Sequence, residues 1–113
     1  MDSLEDRFAE ATYSSDEPVS VTGGGKLHEV PERLFVRAQR IAAAYELALL
    51  PAINVYGRTE LVPAQAARLA HELAFVRRVT ADRLLAPHLV ALETIADDCW
   101  RTTTQQVLTV EGP

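Results

Sequence analysis

LFVRAQRIAAAYELALLPAINV, residues 34–55, decides the fold class. Leu34, Ala38, Ile41, Tyr45, Ala48, Ala52 and Val55 recur at steps of three and four, the spacing of one helix face. Pro31 stands at the first helical position, where its missing N–H costs nothing. Pro51 should bend such a helix, yet the stripe continues beyond it to Gly57, a residue suited to a left-handed cap. The pattern predicts one kinked helix from 31 to about 56, followed by a short connection over 58–62.

Two more helices follow. Pro63 opens one with Ala66, Leu69, Ala70, Leu73 and Val76 on its inner face, and Arg68 and Glu72 paired on the wet side. It ends at Arg77-Arg78-Val79, where positive charge suits the helix dipole. Thr80 or Asp82 then caps a third helix whose stripe is Leu85, Leu89, Leu92, Ala96 and Cys99, with Pro87 marking its start or a bend.

The flanks read differently. Val19–Thr22 alternates and stops at Gly23-Gly24-Gly25, as a short strand would. Val107–Val110 has strand propensity before Gly112-Pro113 and needs a partner for its backbone groups. The expected fold is therefore α+β: a three-helix layer with a two-stranded sheet joining the N- and C-terminal segments. One domain covers 1–113, with 31–101 as its helical core. For the first residues three readings stay open: a short helix started at Ser3, a hairpin strand over Arg7–Tyr13, or a mobile acidic arm over 1–17.

Composition narrows function. A chain of 113 residues, 48% apolar and 24% charged, can bury one core without metal or disulfide staples. Net charge is −5, and residues 1–28 hold six acids against Arg7 and Lys26. That balance disfavours nucleic acid, whose phosphates would be repelled. A single cysteine excludes an internal disulfide. The acidic start does not resemble a secretory signal, and no apolar run reaches membrane-spanning length. A cytoplasmic protein without a membrane anchor is the expectation.

Sites with catalytic letters fail on spacing. Thr22-Gly23-Gly24-Gly25-Lys26 lacks the first glycine of a phosphate-binding loop, and Leu27 replaces its hydroxyl residue. His71-Glu72 lacks the histidine one turn on that a zinc helix needs, since Phe75 stands there. His28, His71 and His88 are too scattered to mark a metal site. Glu93, Asp97 and Asp98 cluster by helical spacing, with Arg101 as the expected counter-charge, and Cys99 reads as a small core residue. No catalytic residue, cofactor or metal is assigned.

What remains is surface. Arg33, Arg37 and Arg40 form a basic stripe, and Trp100, Asp97 and Asp98 gather at the end of the third helix. Trp100 favours the core over a partner, but these six are the candidate partner-binding residues. The leading expectation is a small non-catalytic protein-binding module, with inhibitors of the immunity-protein or antitoxin type as its nearest analogues. Edge strands offer a route to homo-oligomers. The alternatives are a nucleic-acid-associated protein using its arginine faces, with Arg77 and Arg78 added, and an accessory subunit of an enzyme.

Overall fold

A computed structural model describes residues 17–101 and 107–113. The three readings of the first residues thus fall outside the described part, as do residues 102–106. Strands β1 (Pro18–Gly23) and β2 (Lys26–Pro31) form a hairpin, followed by α1 (Glu32–Ala44) and the single turn α2 (Leu49–Ala52). Strand β3 (Arg58–Leu61), helices α3 (Pro63–Val79) and α4 (Ala86–Arg101), and strand β4 (Leu108–Glu111) complete the order. The class is α+β. The sheet, however, has four antiparallel strands in the order β2-β1-β4-β3, where two were expected.

The expected pair forms its centre. Val21 faces Val110 and Thr22 faces Thr109, so the two ends of the described chain meet in one ladder. The extra strands are the edges. β2 exists because Gly24 and Gly25 take φ of 58° and 78°, the left-handed pair that a two-residue hairpin turn requires. The glycines that end β1 therefore also start its neighbour. β3 occupies the expected connection over 58–62, pairing Thr59 with Val110 and Leu61 with Leu108.

The first helix is shorter than its stripe. Leu34, Phe35, Ala38 and Ala42 are buried, whereas Tyr45, Ala48 and Ala52 are exposed. The chain leaves the helix at Tyr45, and Glu46 adopts φ 63°. Leu47 N–H then bonds the Ala42 carbonyl at 2.9 Å and Glu46 N–H the Ala43 carbonyl at 2.9 Å. That is the Schellman arrangement, with glutamate where glycine is usual. Pro51 falls inside the first turn of α2, where it is tolerated rather than kinking a longer helix.

Glu72 explains why α2 sits where it does. Predicted on the wet side, it is 4% exposed. Its carboxylate accepts the N–H groups of Leu49 at 3.0 Å and Leu50 at 2.7 Å, satisfying orphan donors of that turn. Arg68 approaches the same carboxylate at 3.5 Å. The predicted i,i+4 pair is present, but its acid works inward.

Helices α1, α3 and α4 pack on the sheet, and α2 packs on α1 and α3. Val19, Val21, Val30, Leu61, Leu108 and Val110 are buried against the stripes of α3 and α4, including Leu69, Leu73, Leu89, Leu92 and Ala96. Phe35 is the one aromatic residue of the described core. Asp82 organises the turn between α3 and α4. One carboxylate oxygen accepts N–H bonds from Leu84 at 2.9 Å and Leu85 at 3.2 Å, and the other meets Arg37. Gly23 packs so tightly on α4 that a Cβ there would lie 2.3 Å from Cys99 Sγ.

Candidate functional site

Edge strand β2 carries an accessible surface on two sides. In a two-residue hairpin the closing pair, Gly23 and Lys26, exchanges hydrogen bonds, and alternate pairs follow. Val21–His28 and Val19–Val30 are therefore bonded, while the backbone groups of Leu27 and Glu29 point away from β1. Among the described residues no strand pairs with them. Pairing of another chain along such an edge is the ordinary chemistry of β-augmentation.

Beside that edge lies a groove between β2 and α4 of about 460 Å³, lined by Lys26, Leu27, His28, Ala91, Thr94 and Ile95. Leu27 is 62% exposed on its rim, and Val90 of α4 is 49% exposed. Lys26 Nζ reaches Asp98 at 2.6 Å across one end. The solvent face of the sheet is acidic: Glu29, Glu60 and Glu111 are exposed, and Arg58 lies 3.0 Å from Glu60 and 4.0 Å from Glu111.

At the groove the fold brings together two histidines that sequence spacing kept apart. His28 Nε2 and His88 Nδ1 are 2.8 Å apart, with ring centroids at 5.0 Å and planes inclined by 55°. Burial, then the neighbouring His28, hold the His88 imidazole below its usual range and favour its neutral form. The missing signal was β2 itself. Once that strand is recognised, His28 shares the inward face with Val30. His71 stays exposed on α3, beside a separate groove with Leu47, Ala67, Arg68 and Glu72.

The six residues singled out from the sequence occupy two regions. Arg33, Arg37 and Arg40 line a second groove, of about 410 Å³, with Glu32, Val36 and Tyr56. Its charge is partly answered, since Arg37 is bound to Asp82 and holds that carboxyl below the usual carboxylate range. Glu32 accepts from the Tyr56 hydroxyl and raises its pKa. Arg77, which the nucleic-acid alternative needed, is tied to Glu93 at 3.0 Å.

At the end of α4 the acids separate rather than cluster. Asp98 pairs with Lys26, and Asp97 accepts the Trp100 indole N–H at 2.9 Å. Arg101, expected as their counter-charge, instead stacks on Trp100 with its guanidinium 5.0 Å from the ring. Trp100 is 41% exposed and belongs to the surface, not to the core that its helical position favoured. Cys99 is buried as expected, and burial, with Asp98 adding to it, raises its thiol pKa away from reactivity. Among the described residues no group of three or more His, Cys, Asp or Glu converges for a metal ion. No described helix is long and apolar enough to cross a membrane.

No family model, no curated protein and no solved structure matches this chain.

Proposed function

We propose that this chain is a cytoplasmic, non-catalytic protein-binding module that receives an extended segment of a basic partner along β2. The observation that carries the reading is the outer edge of β2, where the backbone groups of Leu27 and Glu29 are paired by no other described strand and lie beside the groove that Leu27 rims. The acidic sheet face and the net charge of −5 favour a partner of opposite sign. Inhibitors that neutralise a basic enzyme, as immunity proteins and antitoxins do, are the nearest analogy. The separate partners of these acids, Lys26 for Asp98, the Trp100 indole N–H for Asp97 and Arg77 for Glu93, argue against the accessory-enzyme alternative. The pairing of Arg37 and Arg77 with acids weakens the nucleic-acid alternative.

Glu29→Pro tests the reading. It removes an N–H that faces away from β1, leaving the hairpin ladder intact. When the chain is purified from cells that carry its gene, the wild type should retain one stoichiometric basic protein. Glu29→Pro should lose it at least tenfold while keeping the wild-type circular dichroism. Equal retention by a folded Glu29→Pro variant defeats the edge as the docking surface.

A further inference from the structure

We infer that the His28–His88 pair is a two-imidazole site for a divalent late transition-metal ion of tetragonal preference, copper(II) foremost. The inference is independent of the docking reading above. It starts from the 2.8 Å between His28 Nε2 and His88 Nδ1. Metal–imidazole bonds of about 2.0 Å at adjacent corners of a square place the two nitrogens roughly 2.8 Å apart, whereas a tetrahedral ion needs about 3.3 Å. The observed separation is that of the hydrogen bond between the two rings, and it is already short enough for adjacent corners of a square.

The two ligands come from elements held independently. His28 is fixed by the β1 ladder opposite Val21, and His88 stands in the first turn of α4 next to buried Leu89. The nearby Lys26 ammonium is offset by Asp98 at 2.6 Å, so no bare cation of the groove opposes a metal.

In the metal-free pair one ring nitrogen carries the proton and donates a hydrogen bond to the other. On binding, that proton leaves the shared position and the outer nitrogen of the same ring takes one up, so no net proton is released. Each ring turns by roughly 45° so that both lone pairs converge on the ion, and water fills the remaining square positions. Nitrogen ligands also place copper(II) above nickel(II) and zinc(II) in affinity.

The test is titration of the full chain with copper(II), followed by electron paramagnetic resonance and by broadening of the imidazole proton signals. One equivalent should give a tetragonal spectrum with two equatorial nitrogens, and should broaden His28 and His88 before His71. His28→Ala and His88→Ala should each weaken binding at least tenfold, and His71→Ala less than twofold. Zinc(II) should bind at least tenfold more weakly than copper(II). If an alanine variant fails to fold, selective broadening in the wild type decides the matter. Broadening of His71 first, or unchanged affinity in folded His28→Ala and His88→Ala, overturns the inference.

Discussion

Glu72 and Glu46 are glutamates whose structural roles are set by the backbone around them. Removing the Glu72 carboxylate leaves the Leu49 and Leu50 N–H groups unsatisfied beneath α2. Two bonds to an ionised acceptor, at roughly 1.5 kcal/mol each, put the cost of Glu72→Ala at about 3 kcal/mol in chemical denaturation. Glu72→Gln, keeping one acceptor, should lose about half of that. Glu46 bears the opposite sign. Its φ of 63° is strained for any residue with a Cβ, so Glu46→Gly should stabilise the fold by about 1 kcal/mol. His88 supplies the pH dependence. Its folded pKa lies below the ordinary imidazole value, so between the two the unfolded chain binds more protons. Stability is then fully present above the ordinary value of about 6.5 and is lost as pH falls through the folded one. Denaturation at pH 7.5 and 5.0 should show this decline in the wild type and a smaller one in His88→Gln. Asp82, depressed chiefly by Arg37, gives up its contribution only below about pH 4, outside that interval.

At the scale of elements, β1 and α4 meet through a glycine. Gly23→Ala would drive its Cβ to 2.3 Å from Cys99 Sγ and 2.9 Å from Leu108 Cδ1. Overpacking of this kind costs roughly 1–3 kcal/mol. Adding Cys99→Ala should return part of it, with a coupling of about 1 kcal/mol in a double-mutant cycle. Simple additivity would show that the two residues do not compete for the same space. The same element shows what sequence makes legible. The stripes of α3 and α4 can be read because a buried helix face must repeat, and Leu69, Leu73, Leu89 and Leu92 do. β1 and β4 can be read because both faces of their alternation are kept. β2 and β3 escape because edge strands bury one or two side chains each: Val30 alone is buried in β2 and Leu61 alone in β3. The length of α1 misleads for a related reason. Tyr45, Ala48 and Ala52 continue the period by composition, but the helix is ended by a glutamate in a glycine's conformation, which no letter announces. Of the candidate site, Arg33, Arg37, Arg40, Trp100, Asp97 and Asp98 were visible as surface patches. The β2 edge and the His28–His88 contact were not, since both depend on a strand whose register only the folded hairpin supplies.

Over the whole molecule, the proposed docking role turns on which face is open to a partner. The helical layer closes the core from one side, leaving the acidic sheet face, the β2 edge and the groove against α4 open among the described residues. An edge that accepts a foreign strand also accepts a copy of itself, so self-association competes with docking. Site-specific photocrosslinking separates these outcomes and tests the central claim directly. A photoreactive phenylalanine analogue is placed at Leu27 on the edge, at Arg40 in the basic groove, or at Trp100, and activated in cells that carry the gene. The account predicts one predominant adduct from position 27, to a single basic protein, resistant to nuclease and absent when Glu29→Pro is added. Adducts from position 27 only to copies of the same chain, or a nuclease-sensitive adduct confined to position 40, would contradict it.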